Sequence, residues 1–333
     1  MNTTPETEIL TDTQAAADLL RQGKLLAFAT ETVYGLGADA TNSVAVAAVF
    51  EAKKRPAFDP LIVHVPDVAS AKEVATEWPA MAEKLAAEFW PGPLTMVLPK
   101  RAHISDLVTS GLPGVGIRIP AHPLARQLLL DFGGPVVAPS ANLFGAISPT
   151  SADHVLQGLN GRIAAVLDGG SCDVGVESTV ISLMNDRPVI LRPGGLPKED
   201  LERITGPIGI AKANSELNDE AQPAPGMLSR HYAPATRMVL IEIEDHAIPM
   251  PNGRSGLLTY RRPSHVNSDG DDSDFDECRQ LGMVDDLKTC ASGFFAALRS
   301  LDAAGLDVII ARKFPTHGLG IALNDRLKRA AAR

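Results

Sequence analysis

The sequence contains few cysteines, no long apolar run and no export signal. Its three cysteines, Cys172, Cys278 and Cys290, have no metal-ligand spacing, and an odd number cannot all pair, which is typical of a reducing compartment. No apolar run reaches the ~18 residues that a membrane span requires. The first residues, MNTTPETEILTDTQ, include neither a basic nor an apolar targeting segment. We therefore expect a cytoplasmic protein with no membrane association.

Basic residues are also scarce. The net charge is −9, and residues 1–205 hold 16 Lys and Arg against 23 Asp and Glu. A protein that binds nucleic acid through general electrostatics requires a basic face. Strong direct binding of RNA is therefore not expected, although a sum of charges says nothing about local basic patches.

Motifs for several reaction classes are missing. The sequence has no Walker A motif, no GxSxG, no HExxH and no cluster of cysteine and histidine. Covalent nucleophilic catalysis is therefore not indicated. What is present is a composition of 45% apolar and 21% charged residues, typical of a folded protein, and a length that allows two domains.

One stretch near the N-terminus has the densest pattern of structural and polar signals. An apolar strand over 24–29 leads into TETVYGLG at 30–37, and a helix over 44–52 delivers the basic run Lys53–Arg55. A second apolar strand then ends on His64. Hydroxyls, a carboxylate and glycines at a strand end are typical of binding loops. Two interpretations stay open here: an ordinary βαβ unit with a solvated basic helix end, and a binding site for a polyanion.

Later strand ends repeat the change from apolar to polar residues. A strand over 115–119 carries Arg118, which is either the solvated face of an edge strand or a functional cation next to two glycines. Ser148 is either part of a helix cap or a site residue. Arginine binds carboxylates and phosphates bidentately. Cations among hydroxyls and amides suit a reaction that depends on positioning charged substrates and stabilising phosphate charge.

Ten short motifs, in order along the chain, resemble the Sua5/YrdC family of threonylcarbamoyl-AMP synthases. Together they cover about the first two-thirds of the sequence, and the remainder resembles the additional C-terminal domain of the longer Sua5 type. The motifs are TETVYGLG (30–37), AKKRP (52–56), PLIVHV (60–65), FWPGPLT (89–95), VGIRIP (115–120), APSAN (138–142), SPTS (148–151), ESTV (177–180), LRPGG (191–195) and PGMLSRHYAP (225–234).

The resemblance implies an α/β fold in three parts. Residues 1–205 would form a YrdC-like catalytic domain, a twisted mixed sheet with helices. Residues 206–234 would form a linker that acts as a lid, with Arg230, His231 and Tyr232 able to contact a ligand. Residues 235–333 would form a smaller, Rossmann-like Sua5 C-terminal domain, for which the order of strands and helices also argues.

The resemblance also implies the reaction. The family joins L-threonine, bicarbonate and ATP into threonylcarbamoyladenylate and releases pyrophosphate, which makes it a nucleotidyltransferase. The product passes to a downstream transferase complex that modifies tRNA to t6A at position 37. Mg²⁺ is expected with ATP, bound to phosphate oxygens and water rather than to a protein cage.

The family's site residues are carried over motif by motif. The threonine side would comprise Thr32, His64, Arg118, Ala138 and Ser178. The ATP side would comprise Lys53, Arg55, Asp59, Gly114, Ser140, Asn142, Ser148, Arg192 and Tyr232. One position departs from the family pattern: Asp59 stands where many relatives have asparagine, and a carboxylate accepts hydrogen bonds but cannot donate them.

Three alternatives are weighed against the synthase. An RNA-binding module conflicts with the acidic first domain. A carbamoyl-transfer domain of hydrogenase maturation would require zinc-finger cysteines that the sequence lacks. A non-catalytic scaffold of the tRNA-modification machinery would release no pyrophosphate from the three substrates.

Overall fold

Two β-sheets of unequal size organise the chain. The computed structural model describes residues 6–211, 222, 224–227, 231–243, 253–261 and 274–332. A mixed eleven-stranded sheet is followed by a parallel four-stranded sheet, and helices cover both. The expected α/β architecture, a large twisted sheet followed by a smaller Rossmann-like unit, is confirmed. Within the described residues no helix is both long and apolar enough to cross a membrane.

The described elements have the following bounds. The strands are β1 Glu8–Leu10, β2 Leu26–Phe28, β3 Gly35–Asp39, β4 Ile62–His64, β5 Leu94–Pro99, β6 Gly114–Arg118, β7 Val136–Val137, β8 Ala165–Leu167, β9 Thr179–Ser182, β10 Val189–Arg192, β11 Gly209–Ile210, β12 Arg237–Ile241, β13 Ser255–Arg261, β14 Glu277–Met283 and β15 Val308–Arg312. The helices are α1 Thr13–Arg21, α2 Ser43–Lys53, α3 Val68–Val74, α4 Ala80–Phe89, α5 Asp106–Thr109, α6 Pro123–Phe132, α7 Ala152–Leu159, α8 Lys198–Thr205, α9 Leu287–Asp302 and α10 Leu319–Ala331.

The large sheet has the strand order β1-β8-β2-β3-β7-β4-β6-β5-β9-β10-β11. The sheet contains parallel pairs such as β4 with β6 and antiparallel pairs such as β5 with β6. The last strand, β11, pairs with β10 and extends the sheet into the segment predicted as linker. The linker therefore leaves the sheet later in the chain than residue 206.

Helix α2 is defined by its two ends. The side chain of Asn42 accepts hydrogen bonds from the backbone amides of Val44 and Ala45, which caps the first turn. The helix stops at Lys53 because Lys54 adopts a left-handed conformation with φ of 53°. This stop turns the chain between Lys53 and Arg55, so the two cations point to different surroundings.

One local prediction is wrong. The glycines of TETVYGLG were expected in a turn, but Gly35–Asp39 forms strand β3, antiparallel to β2. Gly37 is needed there because a Cβ would lie 3.0 Å from the ring of Phe28 and 3.1 Å from the carbonyl of Leu26. Of the two interpretations left open for Arg118, the solvated face of an edge strand is excluded, since β6 lies between β4 and β5.

The small sheet has the order β12-β15-β13-β14, with all neighbours parallel. Helix α9 provides its core with a run of buried apolar side chains that includes Phe294, Phe295 and Leu298. Parallel strands connected through helices are typical of Rossmann-like folds.

The two sheets share one apolar cluster. Val33, Ile147 and Val176 of the large-sheet unit pack in the same cluster as Phe295 of α9 and Leu323 of α10. Gly175 allows the two units to approach each other closely. Its φ is 73°, and a Cβ at this position would lie 2.3 Å from the carbonyl oxygen of Ala291. The second unit is therefore packed directly against the loop that precedes β9.

Candidate active site

A cavity of about 40 Å³ lies where several strands of the large sheet end. Its walls come from the loop after β2, the ends of β4 and β6, the loop after β7, the start of β9, the end of β10 and the linker. This volume is below the ordinary range for small-molecule sites. Nine of the fourteen predicted site residues line it: Thr32, Arg55, His64, Arg118, Ala138, Ser140, Ser178, Arg192 and Tyr232.

Four other predicted residues lie buried behind this wall. The ammonium of Lys53 donates to the carbonyl oxygens of Ser140 and Asn142, so it fixes the loop after β7. The side-chain amide of Asn142 donates to two carbonyls of the same loop. Ser148 donates its hydroxyl to the Glu177 carboxylate at 2.5 Å. Asp59, the fourth, adjoins Arg55.

Gly114 is the predicted residue that the structure places farthest from this arrangement. It begins β6, at the opposite end of the strand from Arg118. A Cβ at this position would meet Val97 at 2.9 Å and the sulfur of Met184 at 3.0 Å. Its small size therefore serves packing between strands, and it is not among the residues that line the cavity.

Arg118 is held by a buried carboxylate. Its Nη2 donates to Glu31 Oε1 at 2.6 Å, and Glu31 Oε2 accepts from the backbone amide of Ala121 at 3.0 Å. The carboxylate fixes the guanidinium at the cavity wall. A charged ligand that bound Arg118 would share it with Glu31.

His64 is a neutral imidazole. Burial, with a further contribution from the charge of Arg118, lowers its pKa from 6.5 to about 3. Its Nδ1 lies 3.3 Å from the carbonyl oxygen of Ile62. The ring edge packs against Phe28. A neutral ring can exchange hydrogen bonds with a substrate without adding charge to the site.

Hydroxyl groups complete this part of the wall. The hydroxyls of Thr30 and Thr32 lie 2.8 Å apart, and Thr30 also donates to the carbonyl of Val33 at 2.6 Å. Ser178 shares a hydrogen bond of 2.8 Å with Thr95. Each hydroxyl is thus oriented by a neighbour before any ligand binds.

Arg55 and Arg192 are the other two cations of the cavity. Arg55 donates to the carbonyls of Asp59 and Pro60. Its Nη2 also lies 2.9 Å from the Asp59 carboxylate, without the alignment of a hydrogen bond, so this contact is an ion pair. Burial raises the pKa of Asp59, while Arg55 and Lys53 oppose that shift.

The linker closes the cavity. Pro225, Gly226, His231 and Tyr232 line it, and Arg192 donates to the Pro225 carbonyl at 3.0 Å. Tyr232 is almost fully buried, with φ of 60°. Among the described residues its hydroxyl has no hydrogen-bond partner. Arg230, which we expected beside it, lies outside the described residues.

Sequence reasoning missed three charged residues around this site. Glu31 and Glu177 were within quoted motifs but were not assigned a role. Arg326 of α10 gave no signal, because it lies 149 positions from Glu177, to which its Nε donates at 2.9 Å. The signal that could have identified Glu31 and Glu177 is that each is a carboxylate inside a quoted motif.

No carboxylate cluster in the described part of the chain is suited to a metal. It holds no group of three or more His, Cys, Asp or Glu that could bind an ion. The carboxylates near the cavity, Glu31, Asp59 and Glu177, each face an arginine. A cation in this cavity would therefore have to bring most of its ligands with it.

Comparison with known proteins assigns this arrangement to a family. The Sua5_yciO_yrdC model, described as telomere recombination, matches residues 18–194, and the model described as threonylcarbamoyl-AMP synthase, C-terminal domain, matches residues 196–332. A threonylcarbamoyl-AMP synthase of Bacillus subtilis is 44% identical over 95% of this chain and 92% of its own. The chain belongs to the threonylcarbamoyl-AMP synthase family. It is an enzyme of this kind, a transferase of tRNA modification.

The similarity to known proteins extends over both units of the chain. A synthase of Pyrococcus abyssi is 44% identical over 95% of this chain and 93% of its own. The crystal structure of P. abyssi Sua5 complexed with L-threonine has a TM-score of 0.85 and 40% identity over 98% of this chain and 97% of that one. A P. abyssi Sua5 variant with one histidine and one tyrosine replaced by alanine has a TM-score of 0.86 and 39% identity over 98% and 96%.

Proposed function

We propose that this cavity joins L-threonine, bicarbonate and ATP into threonylcarbamoyladenylate and releases pyrophosphate. The observation that carries the proposal is the joint burial of three arginines, Arg55, Arg118 and Arg192, around one cavity with a neutral histidine. Three cations match substrates that carry a carboxylate and a triphosphate. The threonine complex of the P. abyssi relative supports the amino acid as one substrate.

The proposed chemistry has two bond-forming steps. The threonine nitrogen bonds to the bicarbonate carbon with loss of water, which yields a carbamate. A carbamate oxygen then bonds to the α-phosphorus of ATP while the bond to the β-phosphate oxygen breaks, so pyrophosphate leaves. The role of the protein is to hold the reactants in line and to offset phosphate charge.

The proposed residue roles are those that the family resemblance implies. Arg118 would pair the threonine carboxylate, and Thr32, His64 and Ser178 would hydrogen-bond the rest of the amino acid beside Ala138. Arg55, Ser140, Arg192 and Tyr232 would contact the nucleotide. Lys53, Asn142 and Ser148 would support these residues from behind, and the linker would exclude water from a labile mixed anhydride.

Mg²⁺ would enter with ATP in this proposal. Phosphate oxygens and water are its preferred ligands, and the paired carboxylates of the wall leave that role to the nucleotide. Its chemistry would be the neutralisation of phosphate charge. The product would pass to a downstream t6A transferase complex.

The experiment is pyrophosphate release measured with all three substrates and with each omitted in turn. We expect release only in the complete mixture, together with a product of the mass of threonylcarbamoyladenylate. Pyrophosphate release without bicarbonate or without threonine would contradict the proposal. No release in any mixture would favour a scaffold, and salt-dependent tRNA binding by the isolated protein would favour the RNA-binding alternative.

A further inference from the structure

The last helix of the second unit places an arginine directly behind the cavity. Arg326 lies in α10 and is completely buried. Its Nε donates to Glu177 Oε2 at 2.9 Å and its Nη1 donates to Asp325 at 2.7 Å. Its guanidinium carbon lies 5.1 Å from the centre of the Tyr232 ring. Arg326 therefore contacts two residues of the cavity wall without lining the cavity itself.

Both contacts reach groups next to the proposed substrates. Glu177 precedes Ser178 in the chain, and its other carboxylate oxygen accepts from Ser148. Tyr232 belongs to the linker that closes the nucleotide side. A cation over an aromatic face is attracted to it, more strongly when water is excluded. One side chain thus fixes both the loop before β9 and the ring of the linker.

Stability alone is a weak reason for this arrangement. Replacing a buried ion pair by apolar residues is often neutral or stabilising, because the charges lose their hydration. Arg326 also keeps Nη2 without a hydrogen-bond partner among the described residues, which adds to that cost. The burial of Arg326 therefore gains little stability, and both of its contacts are with residues of the cavity wall. A role in the geometry of the site explains the position of Arg326 better than stability does.

We propose that Arg326 is a positioning residue of the synthase reaction, which holds Glu177 and the Tyr232 ring in the arrangement that receives the nucleotide. The second unit then contributes a positioning side chain to the active site. This inference rests on the proposed function insofar as Tyr232 is assigned to the nucleotide side.

The test compares two variants of Arg326 with a matched control on the same helix. Arg326→Met removes the charge but keeps an apolar stem, and Arg326→Lys keeps the charge but loses the planar fork. Lys328→Met is the control, because Lys328 is exposed on α10 and contacts neither Glu177 nor Tyr232. Steady-state kinetics give KM for ATP and for threonine separately.

A second readout is independent of activity. The backbone amide of Ala233 donates to the Gly145 carbonyl at 2.8 Å, so its hydrogen exchange reports whether the linker is docked beside Tyr232. We expect Arg326→Met to raise KM for ATP about tenfold or more, with a smaller change for threonine, and to accelerate exchange at Ala233. Arg326→Lys should be intermediate and Lys328→Met should equal the wild type.

A double variant checks the coupling. If Arg326 acts through Glu177, then Arg326→Met combined with Glu177→Gln should lose less catalytic efficiency than the product of the two single losses. Wild-type KM for ATP and unchanged Ala233 exchange in Arg326→Met would overturn the proposal. If that variant does not fold, Arg326→Lys with wild-type values in both readouts would overturn it equally. A wild-type protein that releases no pyrophosphate would contradict the proposed function alone, and Ala233 exchange would still decide the role of Arg326.

Discussion

The guanidinium of Arg55, which lines the cavity, lies 2.9 Å from the carboxylate of Asp59, which is buried behind the wall. The Asp59 carboxylate offsets the positive charge of Arg55 that a bound phosphate would otherwise contact. If Arg55 binds the nucleotide as proposed, Asp59 would compete with the nucleotide for Arg55, whereas an asparagine would not.

The first prediction tests this competition with Asp59→Asn. Without the carboxylate, Arg55 is buried and uncompensated, which we expect to lower the free energy of unfolding of the unliganded protein by roughly 3–5 kcal/mol. The same change should lower KM for ATP, because the phosphates then supply the missing charge. Chemical denaturation with and without ATP measures both effects. Unchanged stability and unchanged KM would show that the pair is energetically neutral.

A second prediction concerns the basic run at the end of α2. Arg55→Ala should abolish formation of the adenylate, because the side chain is buried at the cavity. Lys54→Ala should be nearly silent, since Lys54 is exposed and follows the last helical residue. Pyrophosphate release by the two purified variants decides the matter. An inactive but folded Lys54→Ala protein would show that the reaction requires the exposed cation Lys54.

A third prediction concerns amino-acid recognition. Arg118→Ala should cost about 1.5–3 kcal/mol of threonine binding, the usual value of a charged hydrogen bond, and leave ATP binding nearly intact. Glu31→Gln should weaken threonine binding less, because it loosens Arg118 without removing it. Titration calorimetry with each substrate tests the division. Equal losses for ATP and threonine would contradict it.

The fourth prediction is a loss of stability in acid. Unfolded histidine has its ordinary pKa of 6.5, whereas burial lowers the pKa of folded His64 to about 3. Protons therefore bind the unfolded chain first, and stability falls as pH drops from about 6.5 towards 3. His64 can contribute at most about 1.4 kcal/mol per pH unit. The pH slope of the free energy of unfolding should be smaller in His64→Gln. An identical slope in the variant would assign the effect to other groups.

A fifth prediction concerns truncation after Pro207. The remaining protein would expose Val33, Ile147 and Val176, which the second unit buries. Each exposed side chain should cost roughly 1.5–3 kcal/mol, and β11 would be lost from the sheet. We expect a lower melting temperature and aggregation on mild heating. A truncated protein as stable as the full chain would show that the shared cluster contributes little.

The sequence predicted most strands and helices because their apolar runs and caps are local features. The resemblance located nine residues that the cavity brings together, since short motifs at strand ends persist when the rest varies. Lys53 illustrates a limit of prediction from sequence proximity, since it lies only two positions from Arg55. The left-handed backbone of Lys54 turns the chain between them, and the Lys53 ammonium donates to backbone carbonyls. Arg326 illustrates a second limit. Its contact with Glu177 joins distant segments of the chain and depends on how the two units pack.

Helices α9 and α10 follow the large sheet in the chain, and this order affects how the protein folds during synthesis. Ribosomes make the large sheet first, and domains begin to fold in that order. Until α9 and α10 emerge, the loop around Glu177 lacks its cover and its cation. A nascent chain would thus expose apolar surface near Glu177, and under the proposed role of Arg326 the site would be complete only once α10 has docked.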